Sequence, residues 1–205
     1  MHSRFIVIEG IDGAGTTTQT ARLVSALVAD GQRAHATHEP SKGPIGLHLR
    51  EILAKRVVLH GDSGAQLALL FAADRLDHLG REVRPQLAGG AWVISDRYDH
   101  SSVAYQSVSA GDPGSIGWLR ALNKHADRPD LVLVLDVSPE VARARRLARD
   151  ANRELFDDDG LQRSLAAFYA DIERHFPDDR VVHIDADRDA DAVFADVYAH
   201  ALKLR

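Results

Sequence analysis

The stretch Phe5 to Thr18, FIVIEGIDGAGTTT, constrains the fold more than any other part of the chain. Phe5-Ile6-Val7-Ile8 is a short apolar run, rich in β-branched side chains, and reads as a buried parallel strand. Glu9 and Gly10 end it. Gly10 to Thr17 then follows the template G-x-x-x-x-G-K-[ST] at every fixed position but one. The glycines let the backbone curl so that successive N–H groups point into one concavity, which suits phosphate oxygens. Gln19 to Asp30 reads as a helix whose N-terminal dipole faces the same anion. A glycine-rich turn between a strand and a helix can be mere punctuation. Here the strand, both template glycines, the hydroxyl and the helix arrive in order. The anion-binding set is therefore Gly10, Gly13, Ala14, Gly15, Thr16, Thr17 and Thr18.

Two positions carry the chemistry of such a loop. Thr17 stands where the template places a hydroxyl for Mg²⁺. Thr16 stands where it places a lysine. That lysine brings a mobile positive charge to transferring phosphates, and a threonine cannot.

The rest of the chain supplies a matching frame. Four further strand candidates follow: Arg33–Thr37, Ala91–Ser95, Leu131–Leu135 and Val181–Ile184. Helical patterns cover Gly46–Ala54, Gly64–Gln86, Asp112–His125, Pro139–Arg149, Asp157–His175 and Asp189–Leu202. Strands alternating with helices imply an α/β fold, a parallel sheet covered on both faces. At 205 residues one domain, 1–205, suffices. A net charge of −5 argues against a nonspecific nucleic-acid binder, and zero cysteines exclude a disulfide framework or a cysteine metal site. No apolar stretch is long enough for a membrane span and no secretory signal precedes the first strand, so a cytoplasmic protein with no membrane partner is expected.

Four strands end in an acid: Glu9, Asp96, Asp136 and Asp185. Ligands of open α/β sheets bind beyond these strand ends, where acids hold Mg²⁺ or polarise a nucleophile. Asp136 and Asp185 read as caps of the helices that follow them. Glu9 and Asp96 read as functional, because each adjoins a second motif. Asp96 opens DRYDHSSVAYQ, where Arg97 either forks onto a phosphate or pairs with its neighbouring acid. In LLFAADR, Phe71 and Arg75 share a helix face at i and i+4. A ring and a guanidinium so placed can grip a base, although each read alone is a core and a surface residue. Arg143, Arg145, Arg146, Arg149 and Arg153 either meet an anion or form a solvated face balanced by Glu140, Asp150 and Glu154.

Taken together, FIVIEGIDGAG, His38-Glu39-Pro40, LLFAADR, DRYDHSSVAYQ and an arginine-bearing lid at about 145–156, followed by Phe156 and Tyr169, resemble the thymidylate kinase family. The resemblance implies a phosphate-loop kinase fold with five parallel strands in order 2-3-1-4-5. It implies transfer of the γ-phosphoryl group of ATP to dTMP with Mg²⁺, in a protein that is usually a homodimer. By resemblance Phe71 stacks on thymine, Arg75 hydrogen-bonds it, and Ser102, Tyr105 and Gln106 line the base and sugar. Glu39 and Arg50 fall near the acceptor phosphate, which Arg97 clamps. Asp12 contacts the sugar hydroxyl or metal-bound water, so the metal set is Thr17, Asp96 and Asp12. The Gly13-Ala14 loop resembles the bacterial design, in which lid arginines, here Arg149 and Arg153, join Asp12 and Arg97 in catalysis. Thr16, and His38 where an arginine often stands, depart from the pattern. Two other readings stay open: a kinase of another nucleoside monophosphate or deoxynucleoside, and a nucleotide-binding module that lost transfer chemistry with its lysine.

Overall fold

A computed structural model describes residues 4–112, 114–149 and 158–204. Five strands form one parallel sheet: β1 (Arg4–Glu9), β2 (Ala34–His38), β3 (Trp92–Asp96), β4 (Leu131–Asp136) and β5 (Val181–Asp185). Their spatial order is β2-β3-β1-β4-β5, as expected. The helices are α1 (Thr16–Ala29), α2 (Pro44–Leu53), α3 (Ser63–His78), α4 (Arg84–Ala88), α5 (Asp99–Ala110), α6 (Ser115–Leu122), α7 (Pro139–Arg149), α8 (Asp159–Tyr169) and α9 (Ala190–Leu202).

Successive strand side chains point to opposite faces. Ile6, Val7 and Ile8 are all fully buried, as are Val93 and Ile94 and the run Leu131 to Val134. Helices must therefore cover both faces, which is why these strands read as unbroken apolar runs. Each fully buried Ile, Leu or Val contributes about 1.5–3 kcal/mol of apolar transfer free energy. β1 lies at the centre of the sheet. The chain builds β2 and β3 on one side of it and then crosses to β4 and β5 on the other. Such a switch point opens a crevice beyond the strand ends, and β1 delivers the glycine loop into it.

Several expected boundaries move. The helix expected over Gly64–Gln86 is α3, then a π-helical turn Leu79–Val83, then α4. Asp112–His125 contracts to α6, because Asn123 ends the helix and its amide bonds back to Leu119 O. Asp157–His175 divides into α8 and a short 3₁₀ turn, Ile172–Arg174. α5 was absent from the expected helices: its first turn is polar and its cap comes from a distant strand. Asp136 and Asp185 do not cap the following helices. Ser138 and Asp189 do, accepting from Val141 N and from the amides of Asp191 and Ala192, while Asp136 pairs with His183 at 2.8 Å. No helix among the described residues is long and apolar enough to cross a membrane.

Candidate active site

The loop after β1 adopts the conformation its glycines allow. Gly13 has φ +95°, and a Cβ there would lie 2.4 Å from Ala142 O, so only glycine permits α7 to pack on the loop. Gly15, φ +98°, caps α1, and a Cβ there would meet nothing within 4 Å. Among the described residues no side chain caps α1, and no acid occupies its first turn. Helix N-termini of this kind suit an anion, because their first amides have no intrahelical partner. Thr16 opens this helix and is buried.

Thr17 and Asp96 meet at the same place. Thr17 Oγ1 donates to Asp96 Oδ2 at 2.5 Å, while Asp96 Oδ1 is buried with no hydrogen-bond partner among the described residues. A hydroxyl beside a carboxylate with an orphaned oxygen is the oxygen donor set Mg²⁺ takes. No group of three or more acidic, His or Cys side chains among the described residues is arranged for a metal.

Asp12 is held at every polar group. Its N–H donates to Gln162 Oε1 at 3.1 Å, and its carbonyl accepts from Arg146 Nη1 at 2.8 Å. Its carboxylate accepts from Arg97 Nη2 at 2.5 Å and from Gln162 Nε2 at 2.9 Å. The carboxylate expected at the metal is therefore engaged with Arg97 and Gln162, from the turn after β3 and from α8.

Arg97 has φ +71°, an unusual value for a side-chain-bearing residue. The turn aims its guanidinium back at the loop, where Nη1 donates to Gly10 O at 2.9 Å and to Ser101 Oγ at 3.1 Å. Glu9 holds this turn in place. Its buried carboxylate accepts from Tyr98 N at 2.8 Å, Ser101 N at 3.2 Å, Ser101 Oγ at 2.6 Å and Tyr169 OH at 2.8 Å. Burial pushes its carboxyl above the ordinary value, against the pull of His100 and Arg97. Glu9 is thus an acceptor for the amides at the start of α5, and its strand-end carboxylate is spent on positioning this turn.

A cleft of about 140 Å³ opens beside Arg97. Asp12, Glu39, Phe71, Arg75, Arg97, Ser102, Tyr105 and Gln106 all line it, so one wall gathers most of the expected acceptor-side residues. Phe71 belongs both to the cleft and to a small apolar cluster around Leu49, Ile52 and Leu67. Arg75 is 1% exposed, contrary to the surface position that its residue type implied. It is held by Glu39 Oε2 at 2.6 Å, by Ser102 Oγ at 2.9 Å and by Asn123 Oδ1. Its Nε is buried without a partner among the described residues. Gln106 Oε1 is likewise buried and unpartnered.

Arg50 is not part of this wall. It donates to Pro40 O and lies 3.1 Å from His38 Nδ1, bracing the β2–α2 loop. Glu39 lines the cleft and pairs with Arg75 and His78. Arg149 ends α7, whereas Arg153 and most of the expected lid lie outside the described residues.

A sequence model of the thymidylate kinase family matches residues 8–197. The chain belongs to this family. Among curated relatives, "Thymidylate kinase" of Jannaschia sp. is 40% identical over 92% of this chain and 91% of its own. "Probable thymidylate kinase" of Pyrobaculum calidifontis is 41% identical over 95% and 94% of the two chains. "Thymidylate kinase" of Magnetococcus marinus is 36% identical over 97% and 95%. The thymidylate kinase family match spans both the glycine loop and the cleft, so the two stand in one framework. Within it, sequence reasoning missed Gln162, Asn123, Ser101 and His78. Each acts on a partner more than 35 positions away or through another side chain, and no local spacing signals that.

Proposed function

We propose that this chain transfers the γ-phosphoryl group of ATP to dTMP, giving dTDP and ADP. The observation that carries the reading is the family match across residues 8–197. The cleft adds chemical support, with a ring at Phe71, a buried guanidinium edge at Arg75 and a second guanidinium at Arg97. In this reading Phe71 and Arg75 take the base, Ser102, Tyr105 and Gln106 flank base and sugar, and Arg97 takes the acceptor phosphate.

The loop amides and the start of α1 would hold the donor phosphates. Thr17 and Asp96 would hold Mg²⁺, which when bound neutralises charge on those phosphates. The acceptor phosphate is already a nucleophile at neutral pH, so the protein needs to supply no strong base. Its task is to align donor and acceptor, exclude water and balance charge. Asp12, fixed from four directions, orients Arg97 between loop and cleft. Arg149 and Arg153 would join from the lid and offset the charge that Thr16 lacks. A cytoplasmic homodimer is the state the family resemblance implies.

A coupled assay for ADP release, run with ATP, Mg²⁺ and a panel of monophosphates, tests the proposal. We expect dTMP to be preferred over dCMP, dGMP and dAMP. An equal or greater rate with another monophosphate would assign a different substrate. Binding of both nucleotides without turnover would make the chain a non-catalytic module.

A further inference from the structure

His78 is the last residue of α3, one turn beyond Arg75, and the π-helical turn Leu79–Val83 starts immediately after it. Such turns recur at functional sites. The imidazole is 1% exposed and touches polar groups on both sides. Nδ1 lies 3.2 Å from Glu39 Oε1, and Nε2 lies 2.7 Å from Thr37 Oγ1. Glu82 Oε2 is 3.7 Å from Nε2, and Glu82 in turn pairs with the half-exposed His35 at 2.7 Å. The other oxygen of Glu39 holds Arg75 Nη2 at 2.6 Å. One continuous polar chain therefore runs from His35 at the surface through Glu82, Thr37, His78 and Glu39 to Arg75 in the cleft.

We propose that His78 is a positioning residue for acceptor selectivity: its Nδ1–H orients Glu39, and Glu39 aims the Arg75 guanidinium at the base. The chemistry fixes the proton. A carboxylate can only accept, so Nδ1 must carry hydrogen whether the ring is neutral or charged. Nε2 is then free to accept from Thr37 or, when protonated, to donate to it. Glu39 has two jobs and two oxygens. Without a donor on Oε1, the buried carboxylate turns to recover a partner, and its grip on Arg75 turns with it. Ser102 and Asn123 still hold the guanidinium, so Arg75 stays in the cleft with its Nε–H misdirected.

The inference rests on Arg75 as the base contact, and the experiment separates the two. An asparagine amide reaches about as far as Nδ1, and a glutamine amide about as far as Nε2. His78→Asn keeps a donor for Glu39; His78→Gln keeps the Thr37 side and loses it. With His78→Gln we expect KM for dTMP to rise about tenfold, as loss of one hydrogen bond to a charged group implies. The preference for dTMP over dCMP should fall similarly, with kcat and KM for ATP within about twofold. His78→Asn should stay near wild type. Equal behaviour of the two variants, or a loss confined to kcat, overturns the proposal. Should His78→Gln fail to fold, ¹⁵N NMR of the wild-type ring decides: a bare Nδ1 with hydrogen on Nε2 overturns it. If Arg75→Lys leaves the selectivity unchanged, the reading of Arg75 fails instead, independently of His78.

Discussion

Arg97 Nη2 donates to Asp12 Oδ1 at 2.5 Å, closing an ion pair between the turn after β3 and the glycine loop. Both residues line the cleft. If Arg97 takes the acceptor phosphate as proposed, that phosphate would compete with Asp12 for the guanidinium. The pair would then hold Arg97 extended before substrate arrives and lower the ordering cost of binding.

Arg97→Ala should weaken dTMP binding and nearly abolish transfer, since a charge-assisted contact to phosphate contributes about 1.5–3 kcal/mol. Unchanged steady-state kinetics in a folded variant would remove Arg97 from the site. The backbone offers a separate check, because φ at Arg97 is +71°. Arg97→Gly should be more stable than Arg97→Ala by about 1 kcal/mol, since both lose the side chain and only glycine relaxes there. Urea denaturation of the two variants measures the difference.

Thr17 and Asp96 should govern the metal requirement. Thr17→Val removes the hydroxyl that meets Asp96 Oδ2. The Mg²⁺ concentration giving half-maximal rate should rise roughly tenfold or more, with little change in KM for dTMP. A Mg²⁺ titration identical to wild type would place the ion elsewhere.

The missing loop lysine should appear in turnover rather than in ATP affinity, because its charge acts late, on the transferring group. Arg149→Ala or Arg153→Ala should lower kcat by roughly a hundredfold, as loss of a phosphate-clamping arginine does. Thr16→Lys should raise kcat or leave it unchanged. Removal of both arginines with little loss of rate would end the idea that the lid compensates.

His100 should make stability fall at alkaline pH. The ring is buried, which alone would lower its pKa, but Asp99 at 3.2 Å from Nδ1, Asp179 at 2.8 Å from Nε2 and the nearby Glu9 outweigh that. The ring is pushed from the ordinary 6.5 up to about 9. Arg128 pairs with the same two aspartates. A raised folded pKa favours the folded state fully below about 6.5 and loses that contribution as pH rises through about 9. Thermal stability should therefore fall between these values, and His100→Gln should flatten the fall. A wild-type melting temperature that stays constant from pH 6 to 9 would contradict this.

The parallel sheet and the position of the glycine loop were legible in local pattern, whereas the strand order and most of the cleft wall came from the family resemblance. Ile6 to Ile8 and Leu131 to Val134 are apolar without interruption because the strands are buried on both faces. Gly13 and Gly15 stand where φ must be positive. Local pattern failed where a side chain answers to a distant one. Arg75 reads as a surface residue on its helix, yet Glu39, Ser102 and Asn123 bury it. Glu9 reads as a functional acid at a strand end, yet its lone pairs are taken by the start of α5 and by Tyr169.

By itself, then, the sequence determined most element types, the parallel sheet and the glycine loop, because periodicity and glycine stereochemistry act within a few residues. Only the tertiary structure decided the polar assignments: Asp12 held by Arg97, Gln162 and Arg146, Glu39 facing inward to Arg75 and His78, Arg50 turned to the backbone of Pro40. A buried polar group must find a partner wherever the fold supplies one, and sheet topology brings together residues as far apart as Asp12 and Gln162.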